Sequence, residues 1–420
     1  MVPLREMRIS RVQAFLLSYP LTDPLKLRYY GGERTILKRD AMLIRIETDC
    51  GLTGYAPGQG TETCLQWIDT VVAPFLEGRQ LADPDAMRVL FLKSPAAQNP
   101  GVVKAYCMVE TGLYDLLGKQ RNLPVSELLG GRVRDRIRLY GSAGMYMPPE
   151  KYAEEAAAVA ALGFRAYKMR SGIGPDQDLE TVRLMREAVG PDFDLMVDAH
   201  TWWRMGDRNY SRETVDDLAK ALGEQYVAWL EEPLPPDDHE AYRRLRQLDY
   251  VPLASGEHEP GEEQFLNLIV TEAVDYVQMD VICQGGYATG RRILREIATA
   301  GLSFAFHSWG TALEVVAAAH LGVCWPESVA GWLEYPCYST PETAGMYPFP
   351  LAAEILKAPL AIDHGDLLVP RGPGLGVEVD EGIIHRYPWI PGPWSYFELI
   401  SPPGIRPVGG NHAQPWADQS

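Results

Sequence analysis

The chain has 420 residues, 46% of them apolar, and a formal net charge of −17. The apolar share is enough for a sizeable core, and the length suggests two or three domain equivalents. With 56 acids against 39 bases and no long Lys/Arg run, a nucleic-acid surface is excluded on electrostatic grounds, and no 18-residue apolar stretch reads as a membrane span.

The opening, MVPLREMRIS, lacks the apolar core of a signal peptide, and Met7 is an alternative start. RISRVQAFLL, AMLIRIETDCG and LTGYAPG read as strands. The polar stretch LKLRYYGGERT between the first two reads as a loop, and TDCG as a hairpin turn. Residues 62–130 read as helices: Val109, Leu113, Leu116 and Leu117 fall at helical spacing in VETGLYDLLGKQRN, and LLGG ends the pattern. Residues 1–135 are therefore expected to form an α+β unit.

From 136 to 358 the texture changes. Eight short apolar runs appear: IRLYGSAGMY, RAYKMR, FDLMVDAH, VAWLEEP, VPLASGE, YVQMD, LSFAFHS and VAGWLEYP. Helical patterns such as EKYAEEAAAVAALG lie between most of them. The alternation predicts an α/β fold, a closed TIM-type (β/α)7–8 barrel. An open doubly wound sheet is the rival, but GSAGMYMPP after the first strand is no GxGxxG turn. Residues 359–420 are too short for a domain and are expected to pack back on the N-terminal unit, completing a capping domain. GPGLG reads as turn glycines, and GGNHAQPWADQS as a frayed end. Six well-separated cysteines without a CxxC pair read as reduced thiols of a cytoplasmic protein.

The residues closing the barrel strands carry the chemistry. They are Lys168 and Arg170, Asp198 and His200, Glu231, Glu257, Asp280, His307 and Glu334. The intervals from Asp198 onward are 33, 26, 23, 27 and 27 residues, one β/α unit each, so all are expected at one shared mouth. Asp198, Glu231 and Glu257 on consecutive strands would repel without a cation, and all-oxygen ligation favours Mg²⁺ over zinc. WLEEP offers Glu231 and Glu232; strand alternation turns them to opposite sides, so one of the two ligates. Asp280 beside His307 is the usual arrangement of a general base. Lys168 and Arg170 share the inward face and need anions nearby.

In this order GFRAYKMR, LMVDAH, WLEEPL, ASGE, VQMDVICQGG, FHSWG and LEYP resemble the mandelate racemase subgroup of the enolase superfamily. VETGLYDLLGK resembles the helix that usually ends that family's capping domain, and the resemblance runs from about residue 8 to 395. It implies a Mg²⁺ held by Asp198, Glu231 and Glu257. It also implies His307 with Asp280 as the base that removes a proton α to a carboxylate, and Glu334 and Lys168 as contacts to that carboxylate. Two departures follow. Arg170 stands where the family places a second lysine base, and arginine does not usefully deprotonate near neutral pH. His200 stands where most of the subgroup has Asn, and is similar to the DxH of acid-sugar dehydratases. A one-base reaction is therefore expected: loss of water from an aldonate or aldarate, giving a 2-keto-3-deoxy acid, with His200, Lys168 or His307 as acid. Racemisation, epimerisation or lactone cycloisomerisation on the same metal site is the alternative, and an inactive sugar-acid binder the non-enzymatic one. The small-molecule acid is the expected partner, with a homo-oligomer implied by the family. Arg28, Tyr29, Tyr30 and Arg34 of the capping loop are candidates for substrate contact. Trp202, Trp203 and Trp309 are candidates for excluding water at the mouth or for packing in its loops, and Trp309 is also a candidate for substrate contact.

Overall fold

The computed structural model describes residues 6–337 and 349–408, leaving out the side chains of 143–145; GGNHAQPWADQS lies outside the described residues. The first sheet is antiparallel: β1 (Ile9–Tyr29), β2 (Gly32–Thr48) and β3 (Thr53–Gly58), with β2 pairing both others. LKLRYYGGERT is not a loop but the far end of the β1–β2 hairpin, which pairs from Ile9↔Thr48 to Tyr29↔Gly32. The register breaks between Pro20 and Leu25. Pro20 and Pro24 donate nothing to a ladder, so the hairpin restarts beyond them. Its tip rests on the barrel, where Tyr30 N donates to Gly172 O at 2.8 Å.

The helix Pro100–Arg121 begins on Asn99, whose side chain accepts from Gly101 N, and stops at Asn122 in a left-handed conformation. It is buried along most of its length between the capping sheet and the barrel. Glu110 on this helix accepts from Tyr287 N (2.9 Å) and pairs with Arg88 (3.3 Å), which also donates to Thr289 (3.0 Å). This buried group ties the cap to the barrel.

The barrel strands are β4 (Arg136–Met145), β5 (Ala166–Arg170), β6 (Asp194–Asp198), β7 (Trp229–Glu231), β8 (Leu253–Ser255), β9 (Tyr276–Met279), β10 (Ser303–Phe306) and β11 (Ala330–Pro336). Each pairs parallel with the next, and β11 pairs with β4, so the sheet closes. Each of the eight apolar runs contains one strand. Alternation divides their side chains into two cores. Tyr140, Ala166, Met196, Trp229, Ala254, Ala305 and Trp332 fill the barrel interior. Tyr167, Leu195, Val197, Leu230, Leu253, Val277, Phe304 and Leu333 face the surrounding helices and join the main core.

The C-terminal segment serves both sheets rather than the cap alone. β12 (Ile362–Asp363) and β13 (Asp366–Leu368) form a hairpin whose second strand pairs with Arg136–Arg138 at the start of β4. β14 (Ser395–Leu399) and β15 (Gly404–Val408) extend the capping sheet beside β2. Between them, Gly374 and Gly376 take left-handed φ values of 70° and 68°, and a Cβ on Gly374 would lie 2.1 Å from Asp115 Oδ1. No helix among the described residues is long and apolar enough to cross a membrane, and all six cysteines are free.

His320, fully buried on the barrel helix Ala312–Gly322, accepts from Ser126 N (3.3 Å) and donates to Leu375 O (3.0 Å). Burial pushes its pKa down to about 4 from an ordinary 6.5. The native state thus binds fewer protons than the unfolded state between these values. Stability is complete above pH 6.5 and falls as the pH drops toward 4, by roughly 3 kcal/mol from this group. Urea unfolding of wild type and His320→Asn between pH 7.5 and 4 is expected to show the steeper fall in wild type. Equal slopes would mean that His320 titrates normally.

Candidate active site

Lys168, Asp198, Glu231, Gln278, His307 and Glu334 stand two residues above Ala166, Met196, Trp229, Tyr276, Ala305 and Trp332 on the inward face. The apolar plug below them keeps water out, so they form an ionic layer at the C-terminal ends of the strands. Lys168 Nζ lies 2.6 Å from Glu231 Oε1 and 3.0 Å from Glu334 Oε1. Trp229 Nε1 and Gln278 Nε2 donate to Glu231 Oε2 at 3.1 and 2.7 Å. Arg170 Nη2 donates to Asp198 Oδ2 at 2.9 Å, and His200 Nδ1 lies 2.7 Å from Asp198 Oδ1. His307 Nε2 lies 3.0 Å from Glu257 Oε2 and 3.6 Å from Glu334 Oε2, while its Nδ1 lies 3.6 Å from Asp280 Oδ2.

The loops after β8 and β9 are locked together. Asp280 caps the short helix Val281–Gln284, accepting from Cys283 N at 3.0 Å. Gln284 Nε2 donates to the carbonyls of Gly256, Glu257 and Glu259. Glu257 and Asp280 are thereby held on two sides of His307.

Charge and burial set the protonation states. Burial raises the Glu231 pKa, Lys168 opposes, and Asp198, Glu257 and Glu334 add to it, so it reaches about 8. Burial alone would strip the proton from His307, but Glu257, Glu334 and Asp280 hold its pKa well above the ordinary value. Burial opposes the charge on Asp198 too, yet His200 and Arg170 keep it well below the carboxylate range. His200 itself is lowered to about 3 by burial, with Arg170 and Arg204 adding and Asp198 opposing. It is a neutral imidazole.

Glu232 departs from the alternation expected of WLEEP. β7 ends at Glu231, and Glu232 takes a left-handed φ of 43°. Its buried carboxylate therefore returns to the mouth, 2.6 Å from His258 Nδ1. His258 Nε2 in turn faces Arg204 Nη2 at 2.8 Å. His200, Glu232 and Glu257 bring one ligand atom each within 4.8 Å of one another, as do Asp280, Cys283 and Glu314; the expected triad Asp198, Glu231 and Glu257 is not among the groupings this close. Neither His258 nor Arg204 was signalled by the sequence. Gln278 was within reach, because it shares the parity of Asp280 in VQMD.

The capping residues divide differently from expectation. The Arg28 side chain is 91% exposed and faces Glu33 at 3.7 Å, away from the mouth. Tyr29 is buried against Tyr146 and Phe397, and Arg34 packs over Trp394 and Phe397. Tyr30 contacts Tyr210 and Arg208 on the loop after β6. Trp309 lies under Arg170 at 5.3 Å and belongs to the site, as does Trp203, whose Nε1 donates to Glu232 O. Trp202 is buried against Tyr210. A cleft of about 750 Å³ lies at the other end of the barrel, between Arg243, Arg246, Pro252 and Asp275, away from these groups.

The donor chemistry fits a divalent cation. Asp198, Glu231 and Glu257 are oxygen donors of low exposure, each neutralised by side-chain cations, and burial, with the neighbouring acids adding to it, pushes Glu231 to about 8.

Residues 20–130 match the mandelate racemase / muconate lactonizing enzyme N-terminal domain, and residues 151–383 match the enolase C-terminal domain-like family. The chain belongs to this family. Among its enolase-superfamily relatives, D-galactarolactone cycloisomerase of Agrobacterium fabrum is 26% identical over 91% of this chain and 99% of its own length. L-Rhamnonate dehydratase of Saccharopolyspora erythraea is 29% identical over 83% and 85%. The crystal structure of an enolase superfamily member from Polaromonas sp. JS666 superposes with a TM-score of 0.78 at 30% identity, covering 92% of this chain and 99% of that one.

Lys168 carries the sharpest stability consequence. Its removal leaves Glu231 buried without its cation and Glu334 facing only His307 as a cation. Lys168→Met is expected to lower unfolding stability by about 3–5 kcal/mol in urea titrations without divalent ions. A loss below about 1 kcal/mol would show that the pair is idle.

Proposed function

We propose that this protein is a Mg²⁺-dependent dehydratase of a sugar acid, producing a 2-keto-3-deoxy acid. One observation carries the reading. His307 is flanked by both Asp280 and Glu257, while Arg170, where the family places a second base, is committed to Asp198. A racemase needs a base on each face of the α-carbon; here the second position is an arginine that stays protonated. The L-rhamnonate dehydratase relative supports this reading. The D-galactarolactone cycloisomerase relative supports a second one, in which the same base acts on a lactone.

Asp198, Glu231 and Glu257 would hold the metal. Bound there, Mg²⁺ supplies positive charge to the substrate carboxylate and offsets the charge of Glu257 that keeps a proton on His307. Lys168, fixed by Glu231 and Glu334, holds a second positive charge at the same end. His307 Nε2 takes the α-proton, with Asp280 holding Nδ1. The C–H electron pair becomes the C2=C3 bond as the 3-hydroxyl departs with a proton, and the enol converts to the 2-keto acid. His307 supplies that proton, since Glu257 and Glu334 favour its charged form. His200, neutral and fixed by Asp198, is a positioning residue.

The test is a screen of aldonic and aldaric acids with Mg²⁺, reading 2-keto product and α-deuterium uptake in D₂O. His307→Asn is expected to lose both signals by at least about 10²-fold. His200→Asn should retain α-exchange and lose less than about tenfold in product. Exchange with scrambled configuration and no keto product would replace dehydration by racemisation, and a lactone converted without loss of water would favour cycloisomerisation.

A further inference from the structure

A cavity of about 580 Å³ lies between the cap helix Pro100–Arg121 and the barrel loops after β8 and β9. Its size suits a small-molecule ligand. Glu257 and Asp280, which flank His307, belong to its wall; Lys104 of the cap helix and Gln59, just after β3, also line it. The cavity therefore shares Glu257 and Asp280 with the surroundings of His307, which itself does not line it, and extends under the cap.

Almost every charge in this wall is already matched. Arg88 pairs with Glu110, Glu259 with His239 at 2.7 Å, Glu262 with Arg292, and both Glu257 and Asp280 face His307. Lys104 is the exception: among the described residues it meets no carboxylate within 4.0 Å and donates no hydrogen bond. Its ammonium is felt at Cys107 and Cys283, two thiols of the same cavity wall. Gln59 is 7% exposed; its Oε1 accepts from Cys64, but its Nε2 has no acceptor. A buried amide donor and an unmatched ammonium in one cavity call for acceptor oxygens carrying a negative charge.

We propose that Lys104 and Gln59 form a subsite for a second carboxylate, so that the substrate is a dicarboxylic sugar acid. One carboxylate supplies one negative charge and two acceptor oxygens, matching one ammonium and one amide. A phosphate would bring surplus charge toward Glu257 and Asp280. The direction of the substrate rests on the dehydratase reading, which puts the first carboxylate beside Asp198 and Glu231.

The experiment is calorimetric binding in Mg²⁺ of hexaric acids, each against the hexonic acid of the same configuration, with product assayed in parallel. Wild type is expected to bind at least one hexarate tenfold or more tighter than its hexonate. Lys104→Met and Gln59→Leu should weaken that hexarate, the former by tenfold or more, leaving the hexonate within twofold. Lys104→Arg should keep the preference, which separates charge from packing. Equal affinity for both acids in wild type, a preference that survives Lys104→Met, equal weakening of both acids, or tighter binding of a 6-phosphohexonate would each overturn the subsite. If the binding pattern holds and no 2-keto acid forms, the dehydratase reading fails and the subsite stands. If 2-keto acid forms from hexonates without the preference, the reverse is true.

Discussion

The mouth of this barrel concentrates acids in a place from which water is largely removed. Asp198, Glu231, Glu232, Asp280 and Glu334 are buried, with Glu257 beside them, on a chain already at −17. Two like charges about 4 Å apart repel by roughly 4 kcal/mol at an effective dielectric of 20, so such a cluster exists only if it is neutralised. Each acid accordingly has a cationic or hydrogen-bonding partner built in. Lys168 lies on Glu231 and Glu334, Arg170 and His200 on Asp198, His258 on Glu232, and His307 between Glu257 and Asp280. The same partners that make the cluster tolerable make it reactive, because a ligand or metal that engages one acid changes the proton affinity of the next.

The fold supplies this arrangement through one periodicity. Inward residues of the barrel strands are apolar in the lower layer, and two positions later five of the eight are ionisable (Lys168, Asp198, Glu231, His307 and Glu334), so the plug and the ionic layer follow from the same alternation. The cap adds what the barrel lacks. Its long helix supplies Lys104 and the buried Glu110 link, and its hairpin tip rests on the loop after β5. Loops at strand ends carry the variable chemistry of such barrels, while the strands fix position.

Much of this was legible in the residues alone. The eight runs, the regular intervals from Asp198 to Glu334 and the pairing of Asp280 with His307 all follow from period-2 patterning and one β/α unit per acid. Three features did not follow. The hairpin through LKLRYYGGERT carries a short alternating stripe, Leu25, Leu27 and Tyr29, that turns inward while Lys26 and Arg28 face solvent; the polar residues and paired glycines around it masked this signal. The tail divides between two sheets because its strands are only two to five residues long and take their partners from distant segments. Glu232 returns to the mouth through a positive φ, a conformation that a non-glycine residue does not advertise.

The central claim is that the buried acids at the strand ends are a metal site with His307 as its neighbouring base. The direct measurement is anomalous diffraction from crystals grown with Mn²⁺ in place of Mg²⁺. The account predicts one ion per chain bonded to oxygens of Asp198, Glu231 and Glu257, at roughly 2.1–2.2 Å, with His307 outside its coordination sphere. An ion bound instead by His200, Glu232 and Glu257, or no anomalous peak at the mouth in saturating Mn²⁺, would contradict it.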